Sequence, residues 1–326
     1  VRTLIGFGKN PNVGAVLIVS LGCEGIQAAP VEKEIAATGK AVESIIIQEQ
    51  GGTLGALQAG VRAASRMVRE LSSLPKVEFD ISNLILGLEC GGSDPTSGIA
   101  ANPVLGVCSD LLIAEGGSSI LSETTEMIGA EHLLAEKAVT PEIAEAFLNM
   151  VRRTEQRAID MGNDLRGSQP TPGNIAGGIT TIEEKSLGCI YKAGNAPLVG
   201  TLEYGEMIPA HPRGLYFMDT PGEDIDSITG MVAGGAQIIV FTSGRGTPTG
   251  CPIAPVIKLT GNNDTYRKMT DNIDFNAGRV ITGEATIGEL GRELFDNMIH
   301  VCNGQLTKAE SLGHREFGIF RIGYTF

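Results

Sequence analysis

Tryptophan is absent from the 326 residues and aromatic residues make up only 5%, so there is little here on which nucleobases could stack. Positive charge is also short, with 25 lysines and arginines against 38 acidic residues and a net charge of -13. That balance argues against a phosphate-backbone partner, and any anionic ligand must be held by a locally placed cation or metal. No run of about 18 apolar residues reads as a membrane span. No signal peptide is visible, although the chain opens at Val1 rather than methionine, as a fragment or processed chain would. The six cysteines (Cys23, Cys90, Cys108, Cys189, Cys251 and Cys302) are far apart and lack a Cys-x-x-Cys pair, so they read as reduced thiols of a cytoplasmic protein. A dinucleotide fingerprint is missing too. Gly244-x-Gly246 runs into Pro248, which spoils a helix start, and there is no Walker A segment.

What is present is glycine, 44 of it, and 42% hydrophobic residues, enough for a large core. The chain is organised around residues 83–103. An apolar run from Leu84 to Leu88 stops at Glu89-Cys90-Gly91-Gly92. A polar loop then carries Ser93, Asp94, Thr96 and Ser97, and Asn102-Pro103 reads as the cap and first turn of a helix. The same strand, polar loop and helix recur around residues 13–38, 43–71 and 119–132. Cys23, Glu24, Gln48, Glu49, Glu123 and Glu126 stand at the strand ends. This is the pattern of a doubly wound α/β protein, in which ligands bind beyond the carboxyl ends of the strands.

A long helix follows Thr140-Pro141, residues 169–178 read as a loop rich in breakers, and Thr181-x-x-Glu184 starts a further helix. Strands then resume at 215–218, 237–241 and 256–259, and Thr286-x-x-Glu289 opens the last long helix. Residues 314–326 form an apolar and aromatic tail expected to dock. The fold class expected is α/β, two Rossmann-like parallel-sheet units with helices on both faces and the active site at the carboxyl ends of the strands. The units divide into a first domain, 1–205, and a smaller second one, 206–326.

Carboxylates and thiols gathered at one sheet edge suit a divalent metal with open positions. Taken singly, Cys23 and Cys90 are equally compatible with small buried residues beside a turn, and Cys108, Cys189 and Cys302 read as core residues within helices. His132, one residue after Glu131, is either a ligand or general base or a structural helical histidine. Asp219 is either functional or a turn former ahead of Pro221. Arg245, between two glycines, suits a substrate carboxylate, with a loop salt bridge as the alternative.

Several stretches taken together resemble the altronate and galactarate dehydratases: Gly22-Cys23-Glu24, Gln48-Glu49-x-Gly51-Gly52, Cys90-Gly91-Gly92-Ser93-Asp94, Ala101-Asn102-Pro103, Ser122-Glu123-Thr124-x-Glu126, Gly129-Ala130-Glu131-His132, Pro172-Gly173-Asn174, Glu184-Lys185-Ser186-Leu187-Gly188, Phe217-Met218-Asp219-Thr220-Pro221-Gly222 and Thr242-x-Gly244-Arg245-Gly246. The sulfolactate sulfo-lyase large subunit is a close relative of that family, and residues 312–317 are similar to its tail. The resemblance implies a hydro-lyase that converts a sugar acid to a 2-keto-3-deoxy acid with iron, as Fe2+ or an iron–sulfur cluster, or another divalent metal. It also implies a small N-terminal domain or small subunit beyond this chain and a homo-oligomer. On that reading Cys23 and Cys90 are metal ligands. Glu49, Glu123, Glu126, His132 and Lys185 are proton-transfer candidates, and Ser93, Asp94, Asn102, Thr242 and Arg245 hold the sugar acid. A sulfo-lyase subunit and a non-catalytic metabolite-binding subunit are the alternatives.

Overall fold

In the computed structural model, which describes residues 1–321, the α/β expectation holds: parallel strands carry helices on their faces. Among the described residues the strands are β1 (Ala15–Ser20), β2 (Ala41–Ile46), β3 (Ile85–Cys90), β4 (Ser118–Leu121), β5 (Leu198–Leu202), β6 (Leu215–Met218), β7 (Ile238–Thr242), β8 (Val256–Thr260) and β9 (Phe275–Asn276). β1 and β2 pair alone, with Ala15 opposite Ala41. The other seven form one parallel sheet in the order β5-β6-β4-β3-β7-β8-β9. The division expected at residue 205 falls between β5 and β6, which pair within this sheet, whereas the sheet is interrupted between β2 and β3. Strand grammar alone does not record which strands become neighbours.

The pleat of β3 sets the rest. Leu86, Leu88 and Cys90 point to one face, into a core with Val104, Leu105, Phe147, Phe217, Leu290 and Leu294, while Ile85 joins Ile228, Met231 and Phe241 on the other. Burying a Leu or Phe of this kind contributes about 1.5–3 kcal/mol, and β3 is buried at every position. The helix Asn102–Ala114 lies along the first face. Preceded by a π-helical turn at Ser97–Ala101, it makes Ser97–Ala114 long and apolar enough to cross a bilayer, contrary to expectation, but 56% of that stretch is buried inside the protein. It is a core helix of the large sheet.

Local expectations meet mixed outcomes. Both expected helices open where the sequence placed them, but only Thr286 and Glu289 are reciprocally bonded; Thr181 caps its helix while the Glu184 carboxylate turns to Thr180 instead. Thr53 does not cap its helix; Gly52 does, at φ 104°. Asn102 is not a cap either, because the π turn carries the helix through it at φ −65°, which frees its amide for tertiary contacts. The breaker-rich stretch 169–178 contains the short helix Pro172–Gly177, capped by Thr171 and Asn174. The tail docks as far as it is described: Phe317 meets Phe7 edge-on at 4.9 Å and Phe320 meets Tyr204 at 5.6 Å, and residues 322–326 lie outside the described residues.

Candidate functional site

The carboxyl ends of β3, β4, β6 and β7 open onto a cleft of about 340 Å³ lined by Cys90, Ser93, Glu123, Glu126, Lys185, Asp224 and Arg245, among others. A second hollow of about 170 Å³ shares Cys90, Ser93, Glu126 and Lys185 with it and adds Asp94, Asn102 and Cys189.

At the floor of the cleft is Glu123, which follows β4 with φ 69°, the one non-glycine at positive φ among the described residues. That conformation is costly for a side-chain-bearing residue and persists only where surroundings enforce it. Here the Glu123 N–H donates to Thr220 Oγ1 at 2.7 Å. Its carboxylate accepts from the Cys90 N–H at 3.0 Å and pairs with the ammonium of Lys192. Lys192 is fully buried. It reaches this position because Gly106 has no side chain: a Cβ there would lie 2.3 Å from the Tyr191 carbonyl oxygen. Burial opposes the charge of Lys192, yet the surrounding thiols Cys189 and Cys90 and carboxylates Glu123 and Glu89 hold its pKa well above the ordinary lysine value.

Because neighbouring residues of a strand face opposite ways, Glu89 lies across the sheet from Cys90. Its Oε2 accepts from Ser227 at 2.6 Å and Ser122 at 3.3 Å, while Oε1 is buried with no partner. Burial first, then the nearby Glu123, pushes the Glu89 carboxyl well above the usual range. On the other face Cys90 Sγ stands 3.7 Å from Cys189 Sγ and 3.6 Å from Glu123 Oε1.

Cys90, Glu123 and Cys189 offer ligand atoms all within 4.8 Å of one another. Two thiols and a carboxylate fit a thiophilic divalent ion such as iron or zinc better than magnesium. A four-cysteine iron–sulfur cluster would need two more thiols, and no other cysteine joins this group among the described residues. Cys90 at present keeps its proton, its pKa raised by the Cys189 contact and by burial. An ion bound here would have to displace that proton and share Glu123 with Lys192.

Nearer the mouth, Lys185 Nζ lies 3.0 and 2.9 Å from the two Glu126 oxygens and 2.9 Å from Gln169 Oε1. Burial works against the Lys185 charge but Glu126 outweighs it, so the pKa is raised and the side chain stays an ammonium. As an ammonium it is a hydrogen-bond donor rather than the proton acceptor considered from sequence. Arg245, an exposed residue, also lines this cleft, with Nη1 donating to the Gly173 carbonyl at 2.9 Å.

The other residues singled out from sequence have different surroundings. Asp94 spends its carboxylate on Thr96, Ser97 and Asn262. Asn102 donates to the Gly188 carbonyl at 2.8 Å and accepts from Thr242 Oγ1 at 2.5 Å, which ties the core helix to β7 beneath the cleft. Asp219 is held by Arg153 at 2.5 Å and by Thr124 at 2.6 Å. Cys23 and Glu49 do not join this group. They are exposed at the carboxyl end of the two-stranded sheet, and Cys23 Sγ meets Gln48 Nε2 at 3.5 Å. With only two strands that edge has no neighbours to close over it. His132 is exposed on the short helix Glu131–Ala135 and lines neither cavity.

Lys192, Cys189, Glu89 and Asp224 were not expected. For two of them a signal exists: Lys185, Cys189 and Lys192 are spaced i, i+4, i+7, one face of a helix. Asp224 reads as an ordinary acid in a helix's first turn.

A parallel α/β protein with thiols, carboxylates and lysines converging at its sheet edge is of a class that binds small polar ligands at that edge. Comparison with known proteins narrows this. Residues 81–325 match the family model of the D-galactarate/altronate dehydratase C-terminal region, and residues 1–72 that of the second domain of D-galactarate dehydratase/altronate hydrolase. The chain belongs to this family. It is 36% identical to altronate dehydratase of Bacillus subtilis over 324 residues, 99% of this chain and 64% of that protein. It is 41% identical to the (2R)-sulfolactate sulfo-lyase subunit beta of Chromohalobacter salexigens, covering 98% of this chain and 82% of that one. Galactarate dehydratase (L-threo-forming) of Escherichia coli is 34% identical, with 62% of its length covered. The chain thus spans somewhat under two thirds of the dehydratases it matches.

Proposed function

We propose that this chain is the catalytic portion of a hydro-lyase that removes water from a sugar acid, altronate or galactarate, leaving a 2-keto-3-deoxy acid. The observation that carries the reading is that the Glu126–Lys185 ion pair and Arg245 line one cleft. Arg245 suits a substrate carboxylate bidentately. Glu126 is positioned to take the proton from C2, and Lys185 to donate to the enediolate that develops beside it. The C2 electron pair forms the C2=C3 double bond as the C3–O bond breaks, and the resulting enol becomes the 2-keto acid. Cys90, Glu123 and Cys189 would hold a divalent metal, iron being our choice, whose chemistry is Lewis-acid polarisation of substrate oxygens.

The partner we infer is a small domain or subunit of the kind implied by a relative named as a beta subunit. The free state of all six cysteines supports a cytoplasmic setting. The match to the sulfo-lyase subunit over most of its length favours a second reading, loss of sulfite from the same carbon. Supplying ferrous iron and assaying altronate, galactarate and sulfolactate for 2-keto acid and for sulfite decides between them. Keto acid from a sugar acid supports the proposal; sulfite release alone supports the second reading; neither product from any of the three overturns both.

A further inference from the structure

Asp224 stands apart from the ion-paired carboxylates of this site. It is the first residue of the helix Asp224–Ala233, and the chain reaches it through the Pro221-Gly222 turn after β6. Its carboxylate lies over Gly91, so close that a Cβ at residue 91 would be 2.4 Å from Oδ1. It lines the cleft together with Glu126, Lys185 and Arg245. Among the described residues no donor is bonded to it.

Resting on the elimination reading above, we propose that Asp224 is the general acid that protonates the departing C3 hydroxyl. As Glu126 receives the C2 proton, the C3–O bond breaks, its electron pair takes the Asp224 proton, and water leaves. Asp224 is left as the carboxylate and Glu126 as the acid, and both are restored by exchange with solvent. Of the two carboxyl groups, Glu126 has an ammonium to stabilise its charge and Asp224 has none in contact.

The groups around Asp224 favour a retained proton. Glu89 comes from β3, Glu123 and Glu126 from the segment after β4, and Glu223 from its own helix cap. Against them stand Lys192 and Lys185 from the helix opposite and Arg245 from the loop after β7. Burial, then Glu123, Glu223 and Glu126, push the Asp224 carboxyl up to about 7, against the opposing Lys192.

The test uses the leaving group. Hydroxide needs a proton to depart and fluoride does not, so a 3-deoxy-3-fluoro sugar acid bypasses a general acid. For Asp224→Asn, kcat/KM for the hydroxy acid should fall by about 10²–10⁴-fold and for the fluoro acid by less than about tenfold. Asp224→Glu should recover part of the hydroxy-acid rate, and the alkaline limb of the wild-type pH profile near neutrality should vanish in Asp224→Asn. Equal losses on both substrates, or a limb that survives, overturn the assignment. If wild-type protein turns over neither substrate, the elimination reading fails, and carboxyl-carbon NMR of aspartate-labelled protein still decides the placement. An aspartate signal titrating near neutrality, missing from Asp224→Asn and shifted by glycolate, which has no third carbon to lose a group, supports it. A signal that ignores glycolate overturns it.

Discussion

The two sheets end in the same kind of sequence, an apolar strand running into glycine, cysteine and glutamate, and they put it to different uses. At the edge of β1, Glu24 turns back on its own loop, accepting from Ser20 Oγ at 2.5 Å and from the N–H groups of Leu21 and Gly22. Its pKa is lowered to about 2, chiefly by the Ser20 bond, as expected of a carboxylate that caps a turn in water. At the edge of β3 and β4, Glu123 reaches across to Cys90 and Lys192, residues distant in sequence, and is buried with them. Depth makes the difference. β3 has β4 on one side and β7 on the other, whereas β1 has one neighbour, so its loop stays in solvent and its polar groups satisfy themselves locally.

The contrast can be broken first at its ion pairs. Lys192→Met leaves Glu123 and Glu89 buried without their cation and should cost about 3–5 kcal/mol in denaturant unfolding. Arg66→Met removes the exposed partner of Glu43 at the small sheet and should leave unfolding unchanged. Comparable losses at the two sites would mean that burial is not what separates them.

An effect of similar size at most sharpens the same point through pH. An aspartate is ionised above about 4 in the unfolded chain, but Asp224 keeps its proton up to about 7 in the folded one. Between those values the folded state binds more protons, so its stability falls as pH rises, by up to about 1.4 kcal/mol per unit. Wild type should therefore lose stability relative to Asp224→Asn from pH 4 to pH 7, read from unfolding curves across that range. A difference independent of pH would place Asp224 in open solvent. Smallest of all, Cys23→Ser should leave both stability and retained iron or zinc unchanged, while Cys90→Ser should lose the metal, as measured by elemental analysis of the purified protein.

Much of the scaffold was legible because strands write themselves as continuous apolar runs; β1, β3 and β7 fall where those runs are, although only β3 and β7 are buried throughout and Val19 of β1 is exposed. β5, with Gly200 and Thr201 in its middle and a shift in register, gives no such run. Convergence was legible in part. Glu123, Glu126 and Arg245 meet because the strand ends they follow flank β3, the helix Ile182–Ile190 adds Lys185, and Cys23 and Glu49 stay apart because equivalent grammar built a separate sheet. Lys192 was hidden by its type, since a lysine in a helix is ordinarily solvated and only the burial of its whole segment shows otherwise. Asn102 misled because a residue suited to capping is equally suited to a buried tertiary bond once a π turn continues the helix through it.

The most direct measurement is turnover by Glu126→Gln and by Arg245→Met, assayed with ferrous iron on whichever of altronate, galactarate and sulfolactate the wild-type protein consumes. A convergent site at the edge of the seven-stranded sheet predicts that each substitution lowers kcat/KM by about 10²-fold or more with the fold intact by circular dichroism. Wild-type turnover from both variants would contradict it.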